Sequence, residues 1–81
     1  MFTTVSVYQE LPGQDAIEAN LQKALEIMNG EGPVPATVIT YDENQNSIAT
    51  KQGWPTRAHA EAWLAWIASQ YTPISSQIIE E

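Results

Sequence analysis

The chain has 81 residues, 10 of them acidic and 3 basic, for a formal net charge of −7. That length fits one domain spanning residues 1–81, and so negative a surface repels phosphate backbones, which argues against direct nucleic-acid binding. There is no cysteine and a single histidine, which removes disulfides, thiolate chemistry and multi-histidine metal sites; no metal or cofactor is expected.

Phe2–Tyr8 is rich in β-branched and aromatic residues and reads as a strand. Successive side chains on a strand alternate between faces. The expectation is that Val5 and Val7 face the core, leaving Phe2, Thr4, Ser6 and Tyr8 on the other face. Leu11-Pro12-Gly13 ends the strand. Residues 14–29 form a helix, with Ile17, Leu21, Ala24, Leu25 and Met28 at helical spacing. Asp15 and Glu18 sit at its positive end, and Asn29-Gly30 supplies a left-handed stop.

Residues 34–41 read as a second strand. Asp42 to Asn46 form a polar turn, and residues 47–52 a third, weaker strand, together a hairpin. A second helix spans Arg57–Gln70, with Thr56 as N-cap and Ala60, Trp63, Leu64, Ile67 and Tyr71 as its apolar stripe. Residues 74–80 supply a last short strand. The order β-α-β-β-α-β is the split βαβ pattern. It predicts an α+β, ferredoxin-like fold with two helices on one face of a four-stranded antiparallel sheet.

A two-layer domain leaves one sheet face open. On this reading the open face carries hydroxyls and aromatics with no charge on the first strand, which suits either mild solvation or a second subunit. A domain of this size buries only about 60% of its unfolded surface, so self-association is the expected extra source of stability, and a homodimer the expected state. Three indoles, Trp54, Trp63 and Trp66, lie in or just before the second helix. Trp63 reads as core; Trp54 and Trp66 either cap the edge of the domain or line a pocket or subunit contact. Tyr8, Tyr41, His59, Trp63 and Trp66 are the candidate ligand-binding residues, for a small apolar or aromatic molecule.

No nucleophile–base–acid order, phosphate loop or carboxylate pair is present. The Asp42–Asn46 turn lacks the spacing of a calcium loop. No catalytic residue is assigned, and an enzyme is the less favoured reading. The N-terminus has no signal-peptide pattern, and no run reaches the ~18 apolar residues of a membrane helix; a cytoplasmic protein is expected.

The element order, with the entry Gly53-Trp54-Pro55-Thr56 to the second helix, resembles the dimeric α/β-barrel group of ferredoxin-like proteins, which includes antibiotic-biosynthesis-monooxygenase-like members. The resemblance implies a homodimer with packed sheets and a pocket between sheet and helices. Three functions follow as expectations: a homodimeric accessory or binding protein; a small cofactor-independent enzyme or carrier for an aromatic or polyketide-like molecule; and an acidic inhibitor of a nucleic-acid-handling protein, with its acids gathered on one face.

Overall fold

The computed structural model describes residues 1–10 and 14–81, and of residues 14–17 the helical backbone alone. The expected break at Leu11-Pro12-Gly13, and the expected roles of the Asp15 and Ile17 side chains, lie outside what it describes. Six elements follow in order: β1 (Phe2–Tyr8), α1 (Gln14–Met28), β2 (Thr37–Tyr41), β3 (Ser47–Trp54), α2 (Arg57–Gln70) and β4 (Ser75–Glu80). The strands form one antiparallel sheet in the order β2-β3-β1-β4. This is the ferredoxin-like α+β topology that the sequence predicts.

The turns form for local reasons. α1 stops where Asn29 and Gly30 take positive φ angles of 47° and 77°, a region glycine enters without steric cost. In the β2–β3 hairpin the Asp42 carboxylate accepts hydrogen bonds from the Asn44 and Asn46 backbone N–H groups at 2.8 and 2.9 Å. These bonds hold the Asp42 carboxyl below the usual range. β2 starts at Thr37, three residues later than expected, after the prolines at 33 and 35, which cannot donate to a ladder. At α2, Thr56 has extended angles (φ −131°, ψ 159°) and its hydroxyl accepts from the His59 N–H. Thr56→Ala removes this cap and is expected to cost about 1 kcal/mol. In a domain this small that lowers Tm by roughly 4–8 °C, which thermal circular dichroism would read.

The faces of β1 are the reverse of the expectation. Thr4, Ser6 and Tyr8 are buried beneath the helices, while Val5 and Val7 point to the open side. A one-residue change in facing exchanges a strand's two sets of side chains. Here the helix side is filled from above by bulk carried on other elements: Trp54, Met28, Trp63 and Ile67 are all buried. Small hydroxylated residues fit under that bulk because each hydroxyl finds a partner. Thr4 Oγ1 accepts the Trp54 indole N–H at 3.0 Å, and Ser6 Oγ lies 3.2 Å from Ser76 Oγ. A buried hydroxyl so satisfied costs little.

Trp54 corrects a second expectation. It neither caps an edge nor lines a pocket; its side chain is fully buried. The β1–β3 register slips between Phe2 and Thr3, so that Phe2 pairs with Trp54 and Thr3 with Gln52. Gly53, at φ 109°, is the extra residue. Such a bulge shifts the alternation by one and turns Trp54 from the open side to the core.

α2 runs over the sheet, packing on β1, β3 and β4. α1 packs on α2, but among the described residues it makes no comparably close backbone approach to any strand. Ala24 and Met28 of α1 are buried, whereas Leu21 and Leu25 are exposed. The expected apolar stripe of α1 is therefore only half used by the core. Among the described residues no helix is long and apolar enough to cross a membrane.

Candidate ligand-binding site

The stand-off of α1 opens a cavity of about 530 Å³ between the helices and the β2–β3–β1 side of the sheet. Its floor is Ser6 and Tyr8 from β1, Ala49 and Lys51 from β3, and Thr37 and Ile39 from β2. α1 contributes Asn20 and Leu21, and α2 contributes Trp63 and Ile67. Val34, Pro35 and Ala36, just before β2, close one end. The lining is mainly apolar with a few polar groups, the usual make-up of a small-molecule site.

Lys51 is the least expected of these groups. Strand alternation places it on the helix side with Ser47 and Ala49, opposite Thr4 on β1 and Thr37 on β2. It is only 7% exposed. Its Nζ donates to the Pro35 carbonyl at 2.9 Å and sits 4.8 Å above the Trp63 ring centre. No carboxylate lies within ion-pair distance of it among the described residues. Burial without a counter-charge disfavours the ammonium and lowers the Lys51 pKa to about 8.

This shift carries a stability prediction. The folded chain binds the Lys51 proton less tightly than the unfolded chain, whose lysine titrates near 10.5. Between about pH 8 and pH 10.5 the unfolded state therefore holds more protons, and stability rises with pH across that window. Urea unfolding at several pH values is expected to show this rise. Lys51→Met should flatten it.

Beside the Ser6 and Thr37 hydroxyls, Tyr8 and Asn20 also bring polar groups to the cavity. The Tyr8 phenol is buried, and desolvation raises its pKa, so the ring stays neutral through the physiological range. The Asn20 side-chain oxygen is buried and accepts no hydrogen bond from the described residues. An unmet buried acceptor costs about 1–3 kcal/mol, so a second polar need at this site is left open by the chain.

Of the residues singled out from the sequence, Tyr8 and Trp63 line the cavity. Trp66 is half-buried between Trp63 (ring centres 5.4 Å apart) and Tyr71 (5.8 Å, edge-on), and does not line it. Tyr41 is 63% exposed at the end of the edge strand β2. His59 sits elsewhere, with both ring nitrogens engaged: Nδ1 with Thr56 Oγ1 and Nε2 with the Glu31 carboxylate. This sequence-distant partner ties the loop after α1 to the start of α2. The connectivity Thr56–His59–Glu31 is that of a nucleophile–base–acid relay. However, the Thr56 hydroxyl is already the helix cap, and neither Thr56 nor His59 lines the cavity. The arrangement is read as a structural clasp.

Lys51, Asn20, Leu21 and Ile39 carry the site without having been singled out. For Lys51 a signal was present: it is the only basic residue within any strand. Its facing became readable only once the sheet's inner side was known.

The open sheet face is the other unpartnered surface. Val5, Val7, Val38, Ile48, Thr50 and Ile79 lie on it. None of the four strands places an Asp, Glu, Lys or Arg there. At its margin the Glu81 carboxylate accepts from the Thr3 hydroxyl at 2.7 Å and from the Gln52 amide at 3.1 Å. The Thr3 bond, then the Gln52 bond, holds that carboxyl below its usual range.

No protein-family model matches the chain, and neither a curated protein nor a solved structure matches it.

Proposed function

We propose that this protein is a small-molecule-binding domain that works as a homodimer, its two copies joined through the open sheet faces. The observation that carries the binding role is the mainly apolar cavity of about 530 Å³ with the buried Lys51 ammonium in its wall. Cavities of this size and composition are where ligands bind. A protein built for stability alone would have closed the space.

The dimer rests on charge. Each copy carries −7 overall, so two copies repel over most of their surfaces. The sheet face is the broad surface whose strands carry no ionised side chain, with the Glu81 carboxylate at its margin, and it presents valine and isoleucine. Two-fold packing would meet this face with itself. The arrangement agrees with the dimeric α/β-barrel group that the chain resembles by element order. The acids are spread over α1, the loop after it, the hairpin, α2 and the C-terminus, which gives less support to an inhibitor with one acidic face. Among the described residues, the groups lining the cavity do not form an acid–base or nucleophilic set, which favours carriage or sensing of the ligand over turnover.

Native mass spectrometry of the purified protein tests both parts together. The expected result is a dimer, with added mass when a fitting ligand is retained. A monomer that takes up small molecules would refute the assembly while sparing the pocket. A dimer that binds nothing from a broad fragment set would do the reverse.

A further inference from the structure

We infer that the cavity takes a small monoanion, a carboxylate on a compact apolar or aromatic body, with the carboxylate paired to Lys51 and the apolar body against Trp63 and Ile67. This rests on the reading of the cavity as a ligand site, and names the chemistry of what enters it.

The charge on Lys51 is unmet by the described residues. A buried ammonium is costly unless a counter-charge or a full set of acceptors meets it. Lys51 has three N–H donors and, among the described residues, one acceptor, the Pro35 carbonyl. The Trp63 face supplies a partial negative potential, but no formal charge. The chain has 10 acidic residues, and none of those whose side chains are described is placed against this lysine. The missing negative charge is what a ligand would bring.

The rest of the lining sets the ligand's body. Leu21, Val34, Ile39, Ala49 and Ile67 are hydrocarbon, so a molecule with several charges would be desolvated there without return. Trp63 offers an indole face for stacking. Tyr8 is the other titratable group at the cavity among the described residues. Neutral, it repels no anion and can donate its hydroxyl. The lowered pKa of Lys51 fits the same picture: anion binding favours the protonated amine and should raise it again.

The test compares 2-naphthoate with the uncharged 2-naphthamide by isothermal titration calorimetry on the wild-type protein, Lys51→Met and Lys51→Arg. Wild type is expected to bind the acid at least about tenfold more tightly than the amide, as a charge-assisted bond to a buried lysine requires. The preference should vanish in Lys51→Met and persist in Lys51→Arg. It should also decline as pH rises past about 8, where the free protein loses the Lys51 proton. Should Lys51→Met fail to fold, the wild-type acid–amide ratio and its pH profile decide alone. Equal affinity for acid and amide would overturn the anion inference and leave the ligand site standing. No binding of either by folded protein would overturn both.

Discussion

Trp54→Ala is expected to remove most of the protein's stability. The indole is fully buried. It packs on Trp63 with ring centres 5.7 Å apart, and its N–H is spent on Thr4. Truncating a buried aromatic to alanine costs about 3–5 kcal/mol, because the transfer energy is lost and a cavity remains. Small domains have about 5–15 kcal/mol in all, and short ones sit at the low end because they bury less of their surface. The expected loss of Tm is at least about 15 °C. Trp54→Phe keeps one aromatic ring and loses the indole N–H together with part of the buried ring volume. It strands the Thr4 hydroxyl, which is 1% exposed, and should fold with a deficit of about 1–3 kcal/mol. Thermal and urea melts followed by far-ultraviolet circular dichroism separate the two. A Trp54→Ala variant that melts within a few degrees of wild type would show that the core does not depend on this residue.

Trp54 also shows where the sequence stopped being readable. The type and order of all six elements followed from periodicity and punctuation, because those signals are local: the helical spacing of Ala60, Trp63 and Ile67, the Thr56 cap, the Asp42–Asn46 turn. Facing is a different quantity. Alternation says that Val5 and Thr4 are on opposite sides, but not which side the helices cover. Hydrophobicity pointed to Val5 and Val7. The structure instead seats Thr4, Ser6 and Tyr8 under the helices, since the bulk there arrives from α1, α2 and the end of β3. The Gly53 bulge adds a shift that no alternation pattern can carry. It needs a partner strand to be defined, and it is what brings Trp54 inside.

The pocket was half legible for the same reason. Tyr8 and Trp63 stood out as large residues with polar edges. Lys51 became a site residue only when β3 was placed in register with β1 and β2, because its burial depends on three strands and a helix at once. Asn20 depends on how far α1 stands off the sheet, which is set by the fit of α1 against α2 and leaves no trace in the spacing of its apolar residues. Inner and outer faces exchanged roles together. The valines expected inside became the outer surface, so the proposed dimer rests on a different set of residues from those the sequence suggested.

That surface yields the second large effect. Val5→Lys is expected to abolish the proposed dimer while leaving the fold intact. Val5 is on the central strand β1, flanked by Thr50 on β3 and Gln77 on β4, so it lies near the middle of the open face. In a lone subunit a lysine there extends into water, and its cost is small. In a two-fold assembly it would be buried against a face that offers no carboxylate at its centre, and its symmetry mate would bring a like charge. An uncompensated buried charge costs about 3–5 kcal/mol, which weakens association by more than about 100-fold. Sedimentation velocity across the micromolar range reads this directly, with circular dichroism as the check on folding. Glu61→Lys, an exposed change on α2, adds the same charge away from the sheet and should leave the dimer in place. A wild-type protein that sediments as a monomer at high micromolar concentration would rule out assembly through the sheet. A Val5→Lys variant that still dimerises would place the contact elsewhere, with the exposed Leu21 and Leu25 side of α1 the next surface to probe. The two outcomes bear differently on the ligand. The cavity lies on the helix side of the sheet, opposite Val5, so a monomeric Val5→Lys protein should keep its affinity for 2-naphthoate; loss of binding together with the dimer would mean that the partner subunit holds α1 at its distance from the sheet.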